Sequence, residues 1–259
     1  MIFISYIYFI KLKVNKMKYV QLETLANRYE KEFNSYDNYT YFPKLYSNIS
    51  DIEVSGLFAC ALNYGNPLES MQAIETVLID IMHNQPYEYI SNGEYNDLID
   101  NYNTLYNFHT YHTVGMLCDR LNKIYNNNVT IADAILKVYY TNRNKINTYY
   151  QALQYLLFGD TMVMSPTCKS GNKAINTYLR LMTCDKPINM GIWDLCKNDL
   201  FLPYDDEIQW AAKGLNILGL NEVSSYKNMI KITEYGKKVF PDCGYKLEYS
   251  LRQYYKENR

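Results

Sequence analysis

Ser50-Asp51-Ile52-Glu53-Val54-Ser55-Gly56-Leu57-Phe58-Ala59-Cys60-Ala61-Leu62-Asn63-Tyr64-Gly65-Asn66-Pro67 is the stretch from which the fold class is read. Val54, Leu57, Phe58, Ala61 and Leu62 recur at i, i+3, i+4, i+7 and i+8, the spacing that lines one face of a helix. Ser50 and Glu53 match a capping box, in which the hydroxyl accepts from a backbone N–H three residues on while the carboxylate reaches back. A helix is therefore predicted to start at Ser50. Asn63-Tyr64-Gly65-Asn66 supplies its stop and the next cap. Pro67 then takes the first position of a second helix, with Met71, Ile74, Leu78, Ile81 and Met82 as its buried stripe until Pro86.

Outward from this pair the helical period persists. Residues 92–112 are polar, rich in Asn and Tyr and weakly periodic, and read as loop plus a short helix. Leu117, Leu121 and Ile124 form a third stripe that ends in Asn126-Asn127-Asn128. Thr130 caps the next helix, with Ile131, Ile135, Val138 and Tyr139 turned inward, and Tyr149 to Phe158 forms a further one. No alternating run of four or more residues is bounded by hairpin turns. The expectation is an all-α protein, a single two-lobed helical domain over residues 17–259. The first sixteen residues, MIFISYIYFIKLKVNK, hold an apolar run well short of the roughly 20 residues that span a bilayer. Their lysines follow the run, the reverse of a secretory signal. They read as an N-terminal extension ahead of Met17, and no membrane partner is expected.

The composition narrows the function classes. The 259 residues carry 26 Lys+Arg against 27 Asp+Glu, a net charge of -1, with 48% hydrophobic residues. That is enough apolar side chain for a core and excludes a disordered tail. Near-neutrality excludes a polybasic binder held by bulk charge, though not one with a local basic face. Cys60, Cys118, Cys168, Cys184, Cys196 and Cys243 contain no C-x-x-C pair, so they read as reduced thiols in a cytoplasmic compartment (a host's cytoplasm for a viral protein), with no structural zinc. His109-x-x-His112 has the spacing of two imidazoles on one helical turn, but no helix pattern supports it and no metal is expected.

Two segments carry candidate chemistry. In Ser165-Pro166-Thr167-Cys168-Lys169-Ser170-Gly171-Asn172-Lys173-Ala174-Ile175-Asn176-Thr177-Tyr178-Leu179-Arg180-Leu181-Met182, a helical wheel gathers Ile175, Tyr178, Leu179 and Met182 on one face. Lys173, Asn176 and Arg180 fall on the other. A Gly-containing turn that opens such a helix directs backbone N–H groups outward, and adjacent cations make it a place for a phosphate. The bland alternative is an amphipathic surface helix. In Leu202-Pro203-Tyr204-Asp205-Asp206-Glu207-Ile208, Asp205 or Asp206 falls at the N-cap of a helix carrying Ile208, Ala211, Ala212 and Leu215. An acid fixed there can stabilise a developing cation or activate a nucleophile if it also faces a pocket. Otherwise it is a plain cap.

In this order the two segments resemble the helix-hairpin-helix DNA glycosylase superfamily, where a hairpin ending in G-x-K, with Asn three residues on, precedes a P-x-D that opens the next helix. The matches are Gly171-Asn172-Lys173 with Asn176, and Pro203-Tyr204-Asp205. A closer resemblance is to an uncharacterised, largely bacterial family at the edge of that superfamily, with K-x-x-N-x-F-L-R-x-M, G-x-W and I-P-L-D-x-H patterns. They correspond to Lys173 through Met182, Gly191-Ile192-Trp193, and Leu202 through Glu207. The family's acidic residue before G-x-x-A-A-x-x-Y-G is similar to Glu53 followed by Gly56 through Gly65, and the likeness runs from about Phe42 to Leu251.

The resemblance implies two helical lobes with a cleft, DNA as partner, Asp205 as the carboxylate that supports an oxocarbenium ion or orients a nucleophile, and Lys173 as an amine nucleophile. Lys169, Gly171, Asn176 and Arg180 are the implied nucleic-acid contacts. The sequence departs from the superfamily in lacking the L-P-G-x-G hairpin, in the longer interval from Lys173 to Asp205, and in Glu207 where the near family has His. Only Cys243 lies where some glycosylases carry an iron–sulfur cluster, so no cluster and no other cofactor is implied. A related branch acts in viral thymine hypermodification, as alpha-glutamyl or putrescinyl thymine pyrophosphorylases, displacing pyrophosphate from a modified pyrimidine by an amine. The expected function is thus base-directed DNA repair or modification. A binding module that has lost catalysis is the second reading, and an interaction protein with a Tyr-rich surface the third. Trp193, Tyr204 and Trp210 are candidate stacking partners or core.

Overall fold

The computed structural model describes residues 18–36, 38–157, 172–220 and 225–259. Apart from one small hairpin, their regular structure is helical, and the protein is all-α. The backbone divides into two compact units: the larger gathers residues 34–203, the smaller residues 18–33 with residues 204–259. The N-terminal extension, Lys169 and Gly171 lie outside the described residues. No described helix is long and apolar enough to cross a membrane.

The larger unit is built around α2 (Ile49–Leu62), buried from Ile52 to Leu62 on every side rather than along one stripe. Its N-cap is Asn48, whose Oδ1 accepts from the Ser50 N–H at 3.2 Å. This corrects the expected capping box: Ser50 lies inside the first turn, and Glu53 has no solvent exposure and points into the core. A Cβ on Gly56 would come within 2.3 Å of the Met182 methyl, so the glycine admits that side chain. The second helix, α3 (Pro67–Glu75), starts as expected, with Asn66 accepting from the Leu68 and Glu69 N–H groups and Pro67 in the first turn. It widens into a π-helical turn over Thr76–Ile81 and ends where His83 and Asn84 take positive φ.

After α4 (Pro86–Ser91) and α5 (Asn96–Ile99), the chain forms a short antiparallel hairpin, β1 (Thr104–Tyr106) and β2 (His109–Thr110), turning at Asn107 with φ 52°. The short helix α5 agrees with the reading of residues 92–112 as loop plus a short helix, and the hairpin is the element that reading lacked. Strands of three and two residues are too short to register as alternation. The expected stripe of α6 (Tyr111–Tyr125) is buried, and α7 (Ile131–Thr141) opens on Thr130, which forms a capping box with Asp133. The unit closes with α8 (Tyr149–Leu157) and α9 (Lys173–Thr183).

The smaller unit comprises α1 (residues 18–32), α10 (Asp206–Gly214), α11 (Ser225–Val239) and α12 (Lys246–Asn258). Gly214 of α10 brings its backbone against the Tyr254 ring of α12. On α1, Leu22 O accepts from the Ser250 hydroxyl at 2.7 Å, and the Tyr29 ring stacks on Tyr249 at 5.1 Å. α11 buries Met229, Ile232 and Thr233, and its exposed arc carries Lys227, Lys231, Glu234 and Lys238, with Glu234 paired to Lys237 at 2.8 Å.

Candidate functional site

Asp205 opens α10. Its backbone is extended, and its Oδ1 accepts the Ile208 N–H at 3.0 Å, so it rather than Asp206 is the N-cap. The second carboxylate oxygen faces Arg252 Nη2 at 3.1 Å. Arg252 also donates from Nε to Glu248 Oε1 at 2.9 Å and from Nη1 to Glu207 Oε2 at 2.9 Å, so one guanidinium serves three carboxylates. Burial opposes its charge, but the Asp205 and Glu248 carboxylates outweigh that, and its pKa is pushed well above the ordinary arginine value. The Asp205 side chain is 16% exposed and that of Arg252 17%. The result is an oriented carboxylate backed by a fixed cation and a helix N-terminus, with part of its surface open to water.

Around it, the expected stacking residues separate. Tyr204 is core: its hydroxyl donates to Gln209 Oε1 at 2.9 Å and accepts from Asn228 Nδ2 at 3.1 Å. Trp193 is buried in the larger unit, whereas Trp210 is exposed and meets Tyr255 edge-on.

Lys173, in the larger unit, is the first residue of α9 and half-buried. The preceding Asn172 has φ 38° and caps the helix by accepting the Ile175 N–H at 3.3 Å. The predicted core face is correct, since Ile175, Tyr178, Leu179 and Met182 are all buried. The predicted cationic face is not: Asn176 and Arg180 are buried too, as is every residue from Ile175 to Thr183. Arg180 donates from Nη2 to the Tyr39 hydroxyl at 2.9 Å and from Nη1 to Asn189 Oδ1. Both terminal nitrogens are thus hydrogen-bonded inside the protein, between the turn at Tyr39–Leu45 and the loop after α9.

Glu53 is the other acid in the matching motifs, and its surroundings are of a different kind. Its Oε2 accepts from the Ile131 N–H at 3.0 Å and from the Tyr125 hydroxyl at 2.9 Å, and its Oε1 from Trp193 Nε1 at 2.6 Å. Its carbonyl accepts from the Tyr178 hydroxyl at 2.9 Å. Desolvation raises its pKa above the usual glutamate value, against the hydrogen bonds and the α7 N-terminus that favour the anion. The Trp193 indole is delivered by Gly191, whose φ of 59° lets the loop turn back so that Ile192 and Trp193 N–H groups reach Met182 O. Glu53, Gly56, Tyr178, Met182 and Trp193, scattered through three sequence patterns, thus form one buried knot, with the exposed Gly191 at the turn that delivers Trp193.

A family model described as a protein of unknown function (DUF2400) matches residues 40–254. The chain belongs to that family. No curated protein and no solved structure matches it. Both the Glu53 knot and the Asp205–Arg252 cluster lie within the DUF2400 match. Arg252 escaped the sequence reading, although Glu248 four residues before it was a signal of a helical ion pair. The two histidines do not face each other on a helical turn. His112 is in α6 with Nδ1 at Ile99 O, whereas His109 precedes the helix and is buried beside Tyr64 and Phe108.

Proposed function

We propose that this DUF2400 protein binds DNA and acts on a nucleobase within it, with Asp205 as the reacting carboxylate and Lys173 at the opening of α9 as the amine. The reading is supported above all by Asp205. The acid that the glycosylase resemblance singles out is a part-exposed carboxylate at a helix start, held by a guanidinium. In glycosidic cleavage, the bond from the sugar C1′ to the base nitrogen breaks and its electron pair leaves with the base. A carboxylate beside C1′ opposes the positive charge that develops there, and water or an amine then supplies the new bond to C1′. Arg252 limits the motion of Asp205, which lowers the reorganisation needed at that moment. Lys227, Lys231 and Lys238 on α11, with Glu234 among them, are the residues proposed to meet phosphates.

The test uses the full chain with single- and double-stranded oligonucleotides bearing normal, damaged and pyrophosphoryl-activated hydroxymethyl pyrimidine bases. The expected result is binding that weakens linearly in log K against log salt, together with conversion of at least one base. Asp205→Asn abolishes conversion and changes binding less than about twofold, because its neutral amide caps the helix comparably. Salt-dependent binding without conversion makes the protein a binding module. Absence of both removes the nucleic-acid reading.

A further inference from the structure

The signs of charge are segregated along the larger unit. No Lys or Arg lies between Lys44 and Arg120, and acids recur throughout that interval. No Asp or Glu lies between Asp133 and Asp160, where Lys137, Arg143 and Lys145 fall. These three cations sit on the C-terminal half of α7 and on the turn that leads into α8, and all three are exposed. Their charge is uncommitted. Lys123 of α6 holds Asp119 at 2.6 Å and Lys197 holds Asp185 at 2.6 Å, whereas no side-chain hydrogen bond or ion pair engages Lys137, Arg143 or Lys145 among the described residues. Asp133, one turn before Lys137, is turned into the capping box, its Oδ2 accepting from the Thr130 hydroxyl at 2.7 Å. Asp199 is the acid whose charge reaches Tyr149 at the start of α8, one carboxylate against three cations.

Aromatic rings organise this end of the helix. The Arg143 guanidinium lies 4.7 Å from the Tyr140 ring centroid and 5.7 Å from that of Tyr139, and Tyr139 packs on the buried Tyr149 at 4.9 Å. Lys137 and Tyr140, three residues apart, are neighbours on the helix surface, so a cation, a ring and a second cation follow one another. Every exposed side chain from residue 137 to residue 147 is a Lys, Arg, Tyr, Thr or Asn, and each can donate a hydrogen bond.

We infer that the C-terminal end of α7 and the turn after it form a surface for the phosphates of a nucleic-acid strand. A phosphate backbone is a row of anionic acceptors, the complement of unpaired cations set among neutral donors, and these five side-chain types are among those that contact phosphate and sugar. An acidic peptide or an anionic lipid surface shares the charge, but each also brings apolar groups, and no aliphatic side chain is exposed on this stretch to meet them. The acids of residues 45–119 oppose phosphates elsewhere on the same unit. The inference rests on the nucleic-acid reading above and adds where the larger unit meets the backbone.

The experiment titrates the full chain into a fluorescein-labelled single-stranded oligonucleotide and its duplex, recording anisotropy at a series of salt concentrations. The proteins are the unaltered chain, the triple variant Lys137→Gln/Arg143→Gln/Lys145→Gln, the charge-retaining Lys137→Arg/Arg143→Lys/Lys145→Arg, and Lys123→Gln as an ion-paired control. Thermal melts establish that each is folded. The expected result for the triple glutamine variant is a loss of about tenfold or more in affinity, with the slope of log K against log salt flatter by about 2–3. The charge-retaining variant and Lys123→Gln keep both affinity and slope. Equal affinity and slope for the triple glutamine variant overturns the surface and leaves the DNA reading standing. No binding by the unaltered protein overturns both. Binding to phosphatidylserine vesicles or to polyglutamate that the triple variant loses, without binding to either oligonucleotide, overturns the nucleic-acid occupant.

Discussion

Glu53 and Asp205 both sit beside the N-terminus of a helix, and both lie within the DUF2400 match, yet the two carboxylates are solvated in opposite ways. Glu53 is in the larger unit, without solvent exposure, surrounded by N–H and O–H donors from α6, α7 and the loop after α9. Asp205 is in the smaller unit, part-exposed, and its counter-group is a cation. An acid held by neutral donors in the dry interior has its lone pairs committed and no route to a ligand; it fixes the packing of the elements that supply those donors. Asp205 caps α10 on the Ile208 N–H, pairs with Arg252 and is part-exposed. The difference separates a carboxylate that builds the scaffold from one that is part-exposed.

The largest effect that breaks this contrast is at Glu53. Glu53→Ala strands the Trp193, Tyr125 and Ile131 donors and opens a cavity, with an expected loss of about 3–5 kcal/mol in denaturant unfolding of the larger unit. Glu53→Gln keeps the shape but offers only one acceptor oxygen and is expected to cost about 1–3 kcal/mol. The pH dependence gives the sign. The folded pKa of Glu53 is raised, so its contribution is fully present below the unfolded value and is lost as pH rises through the folded one. The penalty of Glu53→Gln is accordingly larger in acid than at pH 8, and a penalty that grows with pH contradicts the desolvated acid described above.

In the smaller unit, Arg252→Met removes the cation from Asp205 and from the buried Glu248, with an expected cost of about 2–4 kcal/mol in the same unfolding measurement. Asp205→Asn keeps a competent cap and loses one partner of the guanidinium, so about 1 kcal/mol is expected, less than for either Glu53 variant. A larger loss makes Asp205 a second structural acid and erases the comparison. His109 sharpens it at the small end. Burial pulls its pKa down to about 4, below its unfolded value, so its contribution is full above pH 6.5 and declines as pH falls toward 4. His109→Phe is expected to flatten that acid-side decline in a series of thermal melts.

What was legible in the sequence is what is decided within a few residues. Asn66-Pro67, Thr130 and Pro203-Asp205 begin helices because cap chemistry acts over one turn, and the buried stripes of α6 and α10 follow from helical spacing. The roles of Glu53 and Arg180 were not legible, because their partners are distant. Tyr125 is 72 residues from Glu53 and Trp193 140, and Tyr39 is 141 from Arg180. A polar residue on a helix reads as solvent-facing until the chain elsewhere supplies its hydrogen bonds, which is why α9 looked amphipathic and is buried around its circumference from Ile175 onward. Arg252, 47 residues beyond Asp205, was hidden for the same reason. The hairpin escaped because strands this short carry no periodic signal.

The measurement that bears most directly on the account is conversion of the modified-base oligonucleotide panel by the unaltered chain and by Asp205→Asn, at protein concentrations that give equal DNA occupancy. Conversion of at least one base by the unaltered protein, and none above background by the variant, is the expected result. Equal conversion by both, or no conversion of any bound oligonucleotide by the unaltered protein, contradicts the assignment of Asp205 as the acid that a substrate reaches.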